Sequence, residues 1–144
     1  MAFTLVIVES PFSAYKEDGS WDAVQVKQHI AYARRALSDC LERGESPYAS
    51  HLLYTQPGVL DDSVPEERKL GVSAGHAWIE AADRTVVYAD YGISLGMLEG
   101  MRVAAAYGKP VAFRYIGQND IFDERKNEWD ERRVVSRRPT SSQT

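Results

Sequence analysis

The chain has 144 residues, with 17 basic and 21 acidic side chains and a net charge of −4. That length suits one domain with a real core, and 44% apolar with 26% charged residues is globular composition, not the signature of disorder. A pI ≈ 5.4 argues against the basic face that electrostatic nucleic-acid binding needs. No apolar run approaches the roughly 18 residues of a membrane helix, so neither nucleic acid nor membrane is an expected partner.

Residues 3–8, FTLVIV, are continuous and rich in β-branched side chains, as a strand covered on both faces should be. The pattern breaks at Glu9-Ser10-Pro11-Phe12. The opening MAFTLVIVESPF has neither a basic segment nor a small-residue cleavage site, so no secretory leader is expected. Val24, Ile30, Tyr32 or Ala33, Leu37 and Leu41 recur at helical spacing and predict a helix over about 21–42, with Ser20 as N-cap and Gly44 as its stop. Cys40 falls in that helix. A single cysteine without metal-ligand spacing points to a reduced, cytoplasmic setting.

Residues 50–54, SHLLY, read as a second strand, and TQPGVLDDSVP as a loop of turn residues. A helix over about 66–82 follows, carrying Leu70, Ala74, Trp78 and Ile79. Its interior Gly71 and Gly75 each cost roughly 1 kcal/mol against alanine. A third strand covers 84–89, a helix 95–107 ends at Gly108-Lys109-Pro110, and a fourth strand covers 111–116.

Strands alternating with helices predict an α/β fold, a three-layer and mostly parallel sheet of flavodoxin-like or Rossmann-like kind, over residues 1–116. Ligands in such sheets bind beyond the carboxyl ends of the strands, which singles out the loops 9–15, 54–62 and 90–96. A C-terminal extension spans 117–144, with acids and bases in balance. Within it, 119–133 read as one exposed helix with Phe122 and Trp129 seven apart on an apolar face, followed by a flexible end.

The loop 90–96 joins a strand to a helix. Gly92 and Gly96 let a ligand approach closely, and Ser94 offers a hydroxyl. The helix start offers free amides, so Gly92, Ile93, Ser94, Gly96 and the Met97 amide form a candidate phosphate site. The same residues also serve a plain turn and helix cap.

Trp78, Asp83, the strand to Ala89, Ser94-Leu95-Gly96, Ala104 and Lys109 stand in a telling order. With the opening strand, the serine-proline loop and GKPV, they make residues 3–116 resemble the nucleoside 2-deoxyribosyltransferase-like superfamily, near its deoxynucleoside monophosphate N-glycosidases. The features YTQPGVLDD, PEER, AG-x-x-W and GIS-x-GM resemble small members found in phage and bacterial genomes.

The resemblance implies an enzyme that breaks or transfers the N-glycosidic bond of a nucleoside or nucleotide. It implies no metal or organic cofactor, and a homodimer or larger assembly. In that superfamily a glutamate on the last helix attacks the anomeric carbon, and an aspartate on the preceding helix assists. Aligned on Ser94-Leu95-Gly96 and on Trp78, those positions here are Gly100 and Gly75. Either the carboxylate has moved, or the protein binds a nucleotide without cutting it. Cleavage through an oxocarbenium-like state wants a carboxylate nearby, and Glu99, Asp90 and Glu9 are the candidates. Their plain alternatives are a solvent-facing helix residue, an Asx turn and a loop cap.

Ser10, Pro11, Phe12 and Tyr54 are placed to frame base and sugar, or to pack the rim. Arg68 reaches a phosphate or pairs with an acid. His29, His51 and His76 lack zinc spacing; His76, beside Gly75, is expected at the pocket, with no catalytic role expected of any histidine.

Overall fold

A computed structural model describes residues 2–118, together with the backbone of 122–123 and 128–129. Four strands form one parallel sheet among the described residues: β1 (Thr4–Glu9), β2 (Glu45–Tyr48), β3 (Arg84–Tyr88) and β4 (Val111–Arg114), in the order β2-β1-β3-β4. The helices are α1 (Ala23–Glu42), α2 (Ser50–Leu53), α3 (Pro65–Ala77) and α4 (Leu95–Ala106), with a 3₁₀ turn at Ile79–Ala81. This is the α/β fold that the alternation predicts.

The alternation along β1 builds the layers. Val6 and Val8 face α1, where they pack with Tyr32, Ala36, Cys40, Val86 and Tyr88. Ile7 faces the other way, against Ile79, Ala82 and Ala104 of the second layer. Glu9 follows at the same parity as Ile7, at the carboxyl end of the strand and opposite Val87. The fold therefore delivers a carboxyl group to the crevice side.

The second strand is not residues 50–54. It is Glu45–Tyr48, which starts directly after Gly44 turns the chain at φ 80°. No apolar run marks it, and it carries Pro47, which an edge strand tolerates. What anchors it is a buried ion pair: Arg114 donates to both Glu45 carboxylate oxygens at 2.7 Å. Residues 50–53 instead form the single turn α2.

Helix ends also moved. Asp22, not Ser20, caps α1 by accepting from the Gln25 amide at 3.1 Å, while Ser20 bonds to Asp18. The helix through Trp78 ends at Ala77, and β4 ends at Arg114. Phe122–Asp123 pairs antiparallel with Glu128–Trp129, so these four residues are strand and not helix. A seven-residue separation fits two helical turns, and it equally fits two paired positions across a hairpin, Phe122 opposite Trp129. The rest of the expected extension helix and the expected flexible end lie outside the described residues. Among the described residues, no helix is long and apolar enough to cross a membrane.

Candidate functional site

A cavity of about 330 Å³ opens at the carboxyl ends of the strands, between the end of β1, α2 and the loop after it, α3 and the start of α4. Its floor is Glu9, Ser10 and Phe12; its walls include Ser50, His51, Tyr54, Leu60, Asp62, Arg68, Gly71, Gly75 and His76, with Ser94-Leu95-Gly96-Met97 at one end.

Glu9 lines this cavity, and Gly100 of α4 lies against its carboxyl. A side chain at position 100 would put its Cβ 2.6 Å from the Glu9 carboxyl carbon, so only glycine leaves that carboxyl its place. Among the described residues nothing hydrogen-bonds the Glu9 carboxyl. Burial raises it to about 8, so it is mostly protonated at neutral pH. Gly75 makes a similar slot on α3: its Cβ would lie 2.7 Å from Ser50 Cβ and closer still to the hydroxyl.

Beside Glu9, the buried Ser10 hydroxyl and His51 Nε2 share a 2.7 Å hydrogen bond, with Phe12 edge-on to the imidazole. Burial, and then the charge of nearby His29, lowers His51 to about 4, so the ring is neutral. Tyr54 accepts a 2.7 Å hydrogen bond from the Tyr48 hydroxyl. Arg68 pairs with Asp62 at 2.8 Å, and its other terminal nitrogen lies 3.7 Å from where a Gly96 Cβ would stand.

The candidate residues divide on this geometry. Glu9, Ser10, Phe12, Tyr54, Ser94, Gly96 and Met97 line the cavity; Pro11, Gly92 and Ile93 do not. Gly92 serves the turn, at φ 84°. Ser94 caps α4, and its hydroxyl takes the Met97 amide at 3.2 Å, so the open amides of that helix start are those of Leu95 and Gly96.

Asp90 stays outside the cavity. Its carboxylate accepts from the Tyr32 hydroxyl at 2.6 Å and from the amides of Ile116 and Gly117 at 2.8 Å, which ties down the chain leaving β4. Glu99 faces solvent, 56% exposed, and pairs with Arg102 at 3.7 Å.

Ser50 was missed because its segment reads as a strand, and His51 because histidine spacing carries no signal for it. The pointer was indirect. Two glycines inside helices leave room for a side chain from another element, and the fold supplies Ser50 at Gly75 and Glu9 at Gly100.

A parallel α/β sheet with a cavity at its strand ends, lined by the Glu9 carboxyl, has its opening where ligands bind in folds of this kind. The chain belongs to the family described as "Domain of unknown function (DUF7768)", matched over residues 4–114. No curated protein has a matching sequence. Among solved structures, the chain is similar to the 2-deoxyribosyltransferase of Bacillus psychrosaccharolyticus. The TM-score is 0.55 at 18% identity, over 78% of this chain and 72% of that one. At that identity the likeness is one of fold.

Proposed function

We propose that this protein breaks or transfers the N-glycosidic bond of a nucleoside or nucleotide, and that Glu9 supplies the carboxylate. The observation that carries the reading is the Glu9 carboxyl in the slot left by Gly100. The resemblance places the superfamily's glutamate at position 100, and here a carboxyl reaches the same space from β1. The fold likeness to a 2-deoxyribosyltransferase supports the same class of chemistry.

In this mechanism the C1′–N bond breaks, the base leaves with the electron pair and takes up a proton, and Glu9 bonds to C1′. Water or a second base then displaces Glu9. The carboxyl must first lose its proton, so kcat/KM rises with pH up to about 8 and levels above it. The open amides of Leu95 and Gly96 take a 5′-phosphate, with Arg68 alongside, while Ser10, Phe12 and Tyr54 frame sugar and base. The protein works as a homodimer or larger assembly, which light scattering tests; a monomeric mass refutes it.

Chromatography with mass detection tests the reaction on ribo- and deoxyribonucleosides, their monophosphates and NAD-type dinucleotides. A freed base that vanishes in Glu9→Gln is expected. Undiminished release in Glu9→Gln removes Glu9 from the reaction. A transplant sharpens the test: Glu9→Gly paired with Gly100→Glu returns the carboxylate to the helix and should recover part of the activity that Glu9→Gly alone loses.

A second reading, binding without cleavage, is favoured by glycine at both positions where the resemblance expects an acid. It predicts saturable binding with every ligand recovered intact.

A further inference from the structure

The two glycine slots share one construction. At each, a helix gives up its side chain to make room for a polar group from another element, and that polar group lines the cavity without a hydrogen-bond partner among the described residues. One is Glu9 against Gly100. The other is Ser50 against Gly75, and Ser50 is the less expected of the two. A glycine inside a helix is unfavourable against alanine, and at position 75 it leaves the Ser50 hydroxyl room at the cavity wall. The hydroxyl is open to the cavity and free to pair with whatever occupies it.

We propose that Ser50 is a specificity-determining residue, whose hydroxyl hydrogen-bonds one sugar hydroxyl of the bound nucleoside. The inference rests on the nucleoside reading above and deepens it. A neutral hydroxyl suits a neutral partner. Among the cavity's charged side chains, Asp62 and Arg68 pair with each other at 2.8 Å and Glu67 accepts from the Asp61 amide at 3.1 Å, while the His51 ring is neutral. Sugar hydroxyls are the neutral groups of a nucleoside that both donate and accept, as serine does. A site built to pair with a hydroxyl rejects the analogue that lacks it far more strongly than an apolar wall would.

The test pairs a protein truncation with ligand truncations, and reads binding so that it does not depend on turnover. Calorimetry on the full chain measures the tightest binder of four common ribonucleosides and its 2′-, 3′- and 5′-deoxy analogues, with wild type and with Ser50→Ala. The expected result is a roughly tenfold loss for the parent in Ser50→Ala and no further loss for one particular deoxy analogue. That non-additivity is the mark of a direct contact. Equal losses across all analogues, or no loss, overturn the role of Ser50 while leaving the nucleoside reading in place. Absence of binding by the wild-type protein overturns both. Thermal melting checks that Ser50→Ala is folded, and Ser50→Gly serves the same comparison if it is not.

Discussion

The two faces of the sheet treat a carboxyl group in opposite ways. On the α1 side, Glu45 is clamped by Arg114, which also donates to the Tyr88 hydroxyl at 3.1 Å; Tyr88 in turn donates to Asp39 at 2.7 Å. Cys40 sits in the same network, 3.2 Å from the Tyr88 hydroxyl, and burial pushes its thiol up to about 11. On the other side, Glu9 has a cavity where Glu45 has a guanidinium. Burial raises both carboxyls, but at Glu45 the hydrogen bonds and charge of Arg114 outweigh it and hold the group below its ordinary value. At Glu9 nothing opposes burial, and the group rises to about 8. A polar group that the fold has satisfied holds the fold together; one that it has left without a partner beside a cavity is open to whatever enters it.

The sharpest way to break this contrast is to remove each group in turn. Glu9→Gln should lower base release on the order of 10³-fold or more without lowering the melting temperature. Arg114→Met should do the reverse. It strands Glu45 as an uncompensated buried charge, at about 3–5 kcal/mol of stability by urea unfolding, with little effect on turnover per folded molecule. A Glu9→Gln protein that melts early, or an Arg114→Met protein as stable as wild type, ends the distinction.

Stability against pH separates the faces next. The folded Glu9 keeps its proton to about 8, whereas the unfolded chain releases it near 4.5. Stability therefore falls as pH rises between those values, by a few kcal/mol at most, and is flat above. Glu45 has the opposite sign: its contribution is present above about 4.5 and is lost as pH falls through its lowered folded value. Urea midpoints at pH 5, 7 and 9 should show Glu9→Gln gaining on wild type as pH rises. Parallel curves would mean that Glu9 is not held neutral.

The smallest effects concern the glycines. Gly75→Ala meets Ser50 at its Cβ, which cannot swing away, and should cost about 1–3 kcal/mol by thermal or urea melting. Gly100→Ala meets the flexible end of Glu9. It should cost less in stability but displace the carboxyl and slow base release.

Much of the fold was legible in the sequence because strands of a covered parallel sheet carry short apolar runs, as β1, β3 and β4 do in LVIV, VVY and VAF. The strand that escaped, Glu45–Tyr48, is held by Arg114 from 69 residues away, and no local pattern reports such a partner. The site was half legible. The loops at the strand ends, Glu9, Ser10, Phe12, Tyr54 and Ser94 follow from sheet topology and residue type. Asp90 and Glu99 have the same chemistry as Glu9 on paper, and only their surroundings set them apart.

The sequence alone determined the layered α/β architecture, the end of the sheet where the cavity opens, and the odd presence of glycine at positions 75 and 100. The tertiary structure decided which carboxyl lacks a partner, because hydrogen bonding and burial depend on chain segments far apart in sequence. It also decided what the two glycines are for, since each is a space, and a space acquires meaning only from what the rest of the fold puts into it.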